Sequence, residues 1–217
     1  MLIEYYLDTF LNNQEIKETL NKIKNQNIVN SILINEHHYR LANIFFHKNK
    51  INIHLDFPLG ISATASRLRS IENISNKSGI ISLQAPANLL INRKYDQIRK
   101  ELTELKNIIP DDTEVRYILE YRKYNYNVLS KFCDILQEHN IDTIYPSTTF
   151  FLDNIYDNII AGKYLEKKSN IKCIFNGDIW TIEHIDLIIK SQCDNISIQH
   201  LPSLKLVKEH LYESPEE

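Results

Sequence analysis

Apolar and polar positions along the chain follow two alternating rhythms. Short stretches of strand-like character lie at 2–7, 30–35, 51–57, 80–85, 114–121, 143–147, 172–176 and 195–199. Between them run segments with apolar residues three or four apart, the period of a helix with one buried face. These fall at 13–25, 37–47, 63–76, 94–107, 127–140, 155–168 and 182–191, and a last one at 204–212 closes the chain. Asn13-Gln14-Glu15-Ile16 has the asparagine and early acid of a helix start. Pro110 must end the helix before it, because a proline disfavours helical geometry in the preceding residue. Eight strands each followed by a helix, in 217 residues, predict an α/β chain folded as one (β/α)8 TIM barrel. An open doubly wound sheet would carry a Gly-rich first turn, and neither G-x-G-x-x-G nor G-x-x-x-x-G-K-[ST] is present. The expected domain spans 1–217, with a frayed acidic tail at 213–217.

Residues two apart on a strand share a face. The polar residues hold one parity: Asn52, His54 and Asp56; Ser82 and Gln84; Arg116 and Glu120; Thr143, Tyr145 and Ser147; Lys172 and Asn176; Asn195, Ser197 and Gln199. The opposite parity is mostly apolar, as at Ile53, Leu55, Leu83, Leu119, Ile144 and Phe175. Helices would cover the apolar face, so the polar set is expected inside the barrel, where active sites lie near the C-terminal strand ends. A hydrogen-bonded polar core without a ligand is the competing expectation.

Composition narrows the functional classes. A net charge of −3 gives no basic field for a nucleic-acid backbone or an acidic membrane. No apolar run approaches the roughly 20 residues that span a bilayer, and MLIEYYLDTF lacks the basic start and apolar stretch of a signal peptide. Cys133, Cys173 and Cys193 have no C-x-x-C spacing and fit a reducing cytoplasm, with neither a disulfide framework nor a metal site. Only 4 glycines are present, against a usual ~7%, and phosphate-cradling loops depend on glycine.

Several segments, in order, resemble one family. Phe57-Pro58-Leu59-Gly60, then Arg67 to Glu72 and Gly79, is similar to the F-P-x-G … K-x-x-E … G run of the deoxyribose-phosphate aldolases. Ser78 to Asn88 resembles their G-A-D-E-I-D-M-V-I-N strand, and Val115 to Glu120 their V-K-V-I-L-E strand. Ile141 to Phe150 is similar to A-D-F-V-K-T-S-T-G-F, and Gly177 to Thr181 stands where G-G-I-R-T would be. The resemblance covers nearly the whole chain and implies a class I aldolase barrel without a cofactor. In that family a lysine forms a Schiff base with an aldehyde, assisted by a second lysine and an aspartate.

Carried over by position, the Schiff-base lysine falls on Tyr145, the aspartate on Gln84 and the second lysine on Ile174. A phenol cannot form a Schiff base. An amide does not exchange protons as a carboxylate does. Isoleucine brings no charge to depress a neighbouring amine's pKa. The phosphate cradle implied at Gly177, Asp178, Ser197 and Gln199 is altered too, since a carboxylate at 178 repels a phosphate. The resulting expectation is a catalytically degenerate member of the family.

Two alternatives remain open. Lys172 shares a face with position 174 and could supply a relocated amine for aldol cleavage of a small sugar phosphate, the plainer readings being a pairing with an inward acid such as Glu120 or a place in solvent at the strand entry. His54, Asp56 and Glu120 could instead form an acid–base group, with an Arg116–Glu120 ion pair as the plainer reading. His37-His38 reads as the start of an exposed helix, and Tyr121 to Tyr126 as an ordinary loop. A small-molecule ligand and a homodimer are the expected partners.

Overall fold

The computed structural model describes residues 1–151 and 153–212, so the expected tail at 213–217 lies outside the described residues. Each expected βα unit forms. The strands are β1 (Leu2–Tyr6), β2 (Ser31–Asn35), β3 (Ile51–Leu55), β4 (Ile80–Gln84), β5 (Glu114–Ile118), β6 (Thr143–Tyr145), β7 (Lys172–Cys173), β8 (Phe175–Asn176) and β9 (Asn195–Ile198). The helices are α1 (Asn13–Gln26), α2 (Tyr39–Phe45), α3 (Thr64–Ile74), α4 (Ala87–Ile91), α5 (Tyr95–Ile108), α6 (Tyr126–Glu138), α7 (Ile155–Ser169), α8 (Ile182–Lys190) and α9 (Leu201–Tyr212). Helix α1 shows how local sequence sets an element. Asn12 and Glu15 form a reciprocal capping box, and Ile16, Leu20 and Ile23 make one buried stripe.

All pairings are parallel, in the order β7-β6-β5-β4-β3-β2-β1-β9-β8. Strands β7 and β8 are two halves of one strand, parted at Ile174. The first half pairs with β6 and the second with β9, so the sheet closes on itself as a barrel of eight strands. The Ile174 amide bridges the break by donating to the Ile144 carbonyl at 2.8 Å.

Apolar packing divides as the parity predicts. Outward residues such as Ile3, Ile34, Ile53, Leu83, Ile144 and Phe175 join the helices in the main core. A second cluster of Ile118, Tyr145 and Ile174, with Phe57 against it, lies inside the barrel. Left-handed turns that glycine would usually serve fall here to asparagine, at Asn27 (φ 56°), Asn140 (φ 58°) and Asn170 (φ 50°) after α1, α6 and α7. Gly60 is a position asparagine could not take. Its φ is +64°, and a Cβ there would sit 2.0 Å from the Ala85 carbonyl oxygen.

Two local expectations change. The helix expected at 37–47 begins as a 3-10 turn over Glu36–His38, which turns His38 into the interior instead of solvent. The short helix α4 occupies a stretch that carried no expected element.

Candidate functional site

The middle of the barrel holds a saturated polar network. Strands β1 and β6 are not neighbours in the sheet, yet the Tyr145 hydroxyl donates to Glu4 Oε1 at 2.6 Å, a contact that crosses the lumen. Glu4 Oε2 accepts from Ser31 Oγ (2.8 Å), Asn52 Nδ2 (3.0 Å) and Arg116 Nη1 (3.0 Å). Asn52 and Arg116 also donate to the Tyr145 hydroxyl, at 2.9 and 3.1 Å, and Ser82 Oγ donates to Asn52 Oδ1 at 2.9 Å. Arg116 completes its fork on Glu114 at 2.7 and 3.1 Å. Burial, then the Glu4 carboxylate, pushes the Tyr145 phenol up, so it stays a protonated donor. Burial pulls Arg116 down, but Tyr145, Glu4 and Glu114 outweigh it and hold the guanidinium charged.

Above this network the lumen opens in two steps. A narrow chamber of about 20 Å³ lies among Tyr6, Leu33, Phe57, Ile118, Tyr145 and Asn176. That is room for about one water molecule. It leads into a mouth of about 410 Å³, with which it shares Tyr6, Phe57, Thr148, Thr149 and Gln199. Polar atoms near this end are less well matched: His54 Nε2, Gln84 Oε1 and Glu120 Oε1 are buried without a hydrogen-bond partner in the chain. His54 packs its ring 4.7 Å from Phe57 and 5.8 Å from Tyr6. Burial lowers its pKa to about 4, which keeps it neutral.

Several expectations need correction. Lys172 has the inward parity but enters at the N-terminal mouth, opposite the cavity. Its side chain is 68% exposed and its Nζ lies 3.0 Å from Asp142. The acid–base group does not assemble. Asp56 takes a left-handed backbone (φ 58°) just past β3 and accepts from Arg67 Nη1 at 2.6 Å and Ser62 Oγ at 2.7 Å. Arg67 also binds Glu101 at 3.0 Å, so Asp56 belongs to a buried network that anchors the loop before α3. Glu120 binds Thr148 Oγ1 at 2.6 Å, and the Arg116–Glu120 pair does not form. Four residues along a strand separate two side chains by about 13 Å, which explains why. The tyrosine-rich loop is tied to the segment before α7, with Tyr121 donating to Asp153 at 2.8 Å and Arg122 reaching the same carboxylate at 3.2 Å.

The positions taken from the family resemblance do converge. Tyr145 and Ile174 touch inside the barrel, and Gln84 is buried on β4, whose neighbour β5 carries Ile118 opposite it. Ser197 and Gln199 line the chamber. Gly177 and Asp178 lie in the turn that leads to Trp180, and Trp180 lines the mouth. The main residue missed from sequence is Glu4. The signal was a lone acid in the apolar strand Leu2–Tyr6.

The fold and site define a closed parallel (β/α)8 barrel with its open cavity at the C-terminal strand ends, the layout of barrel enzymes. Among the solved structures that share this fold are aldolases. One is named as QR15, an aldolase: it is 22% identical, with a TM-score of 0.81, and the match covers 97% of this chain and 96% of that one. Another is the deoxyribose phosphate aldolase of Aeropyrum pernix, described as having a unique tetrameric structure. It is 14% identical, with a TM-score of 0.77, covering 97% of this chain and 90% of that one. The chain therefore has the aldolase-type barrel fold. No protein-family model matches the chain, and no curated protein does.

Proposed function

We propose that this chain is a divergent relative of the deoxyribose-phosphate aldolases that has lost class I amine chemistry and keeps its barrel for binding a small ligand. The observation that carries this reading is the state of Tyr145. At the position where the resemblance places the Schiff-base lysine stands a phenol, held at once by Glu4, Asn52 and Arg116. A phenol has no amine to condense with an aldehyde. The chamber above it holds about 20 Å³, too little for a sugar phosphate. Gln84 cannot shuttle protons as a carboxylate would, and Ile174 supplies no charge.

The relocated-amine alternative gains no support from geometry, because Lys172 is paired in solvent at the other end of the barrel. Acid–base chemistry by His54, Asp56 and Glu120 is likewise unsupported, since each has separate partners. Among the described residues no helix is long and apolar enough to cross a membrane. A cytoplasmic location accords with three buried free cysteines. A homodimer is proposed on frequency grounds alone, and light scattering would settle it.

The direct test is a retro-aldol assay on deoxyribose 5-phosphate, with released acetaldehyde as the readout. The reading expects no turnover above buffer from folded protein. Turnover abolished by Lys172→Ala would replace it with the relocated-amine mechanism.

A further inference from the structure

We propose that the barrel mouth is a binding site for a small organic cation of the quaternary-ammonium or alkylated-amine class. The cavity of about 410 Å³ has the size of a small-molecule site. Four aromatic rings line it, each from a different βα unit or strand end: Tyr6 of β1, Phe57 after β3, Phe150 after β6 and Trp180 after β8. Its lining carries one carboxylate, Asp8, and one imidazole, His200, whose ring packs on Trp180. Among the described residues no lysine or arginine lines it.

Aromatic faces carry negative charge density and attract a desolvated cation, and a carboxylate beside them adds to the same field. That combination repels an anion such as a phosphate ester. A neutral ligand would gain only the stacking. Trp180 and Phe150 are 46% and 61% exposed, so both rings present surface that a ligand can cover. Trp180 is also braced: its ring lies 4.6 Å from that of His200, and its backbone amide donates to His184 Nδ1 at 3.1 Å. The loop that carries Phe150 hosts an ammonium–ring contact outside the cavity, with Lys123 Nζ 4.4 Å from the Phe151 ring centre.

This inference goes beyond the loss of aldol chemistry and does not rest on it. A trapped lysine adduct would overturn that reading and leave this one untouched.

Trp180 is the only tryptophan, so its fluorescence in the full chain reports directly on the mouth. Titration with choline should give a saturable change. Dimethylbutanol, the uncharged carbon isostere of choline, should bind at least about ten-fold more weakly. Asp8→Asn should weaken choline by at least about five-fold. Phe150→Leu, on an exposed loop, should weaken it as well and serves if the Asp8 variant does not fold. Equal affinity for the isostere, tighter binding of inorganic phosphate, no saturation with choline, or an unchanged choline affinity in both variants would each overturn the proposal.

Discussion

Two buried carboxylates, Glu4 on β1 and Glu120 just past β5, are treated differently. Glu4 lies below Tyr145, and both of its oxygens are occupied, by Ser31, Asn52, Arg116 and Tyr145. Glu120 is higher, binds Thr148 through one oxygen and leaves the other without a partner in the chain. A buried charge matched on every side holds strands in register and leaves nothing for a ligand to change. An incompletely matched one, tied to Thr148 on the wall of the open mouth, is where binding can alter the energy. The lower floor is architecture, and the upper floor is where the proposed site lies.

The largest test of this division is to break the lower floor. Glu4→Leu leaves Arg116 with Glu114 alone as counter-ion and takes the acceptor from Ser31, Asn52 and Tyr145, and should cost about 3 kcal/mol of unfolding free energy, measured by urea denaturation. Adding Arg116→Met should restore part of that loss, because the two changes are coupled through one ion pair. Strictly additive losses would mean the network is not a unit.

Acid should act on histidines outside the saturated network. Burial lowers His54 to about 4 and lowers His38 similarly, with neighbouring histidines adding to the effect. The unfolded chain takes up protons at the ordinary pKa near 6.5 while the folded chain does not. Stability is therefore complete above about pH 6.5 and falls as the pH drops toward about 4, by about 2–4 kcal/mol for each histidine. His54→Gln should flatten that slope by about half, and His38→Gln should remove most of the rest. A slope unchanged in both variants would contradict the placement of these rings.

Tyr145→Phe should cost about 1–2 kcal/mol, since Glu4 keeps its other donors and loses one hydroxyl. Lys172→Ala should change stability by less than about 0.5 kcal/mol, as expected for a solvent ion pair. A larger loss would mean Lys172 does more than its contact with Asp142 indicates.

The barrel was legible because alternation and parity are local properties, and the resemblance at Phe57-Pro58-Leu59-Gly60 and Ile141 to Phe150 pointed the same way. Strand parity identifies a face but says nothing of height, which is why Lys172 could be placed inward yet not at the wrong mouth. Parity also fails where the strand ends: Asp56 follows Leu55 into a left-handed turn and leaves the lumen. Glu4 was hidden by distance, because Arg116 and Tyr145 lie 112 and 141 residues away in the chain. Helix α4, five residues of A-N-L-L-I, is too short to show a period.

Under the proposed reading, Tyr145, locked to Glu4 and Arg116, stands where the family resemblance places the Schiff-base lysine and leaves the barrel unable to form a Schiff base. Borohydride reduction in the presence of acetaldehyde, followed by peptide mapping, tests it most directly. Intact protein with no site-specific lysine adduct is the expected result. Stoichiometric labelling of one lysine, Lys172 or any other, would contradict it.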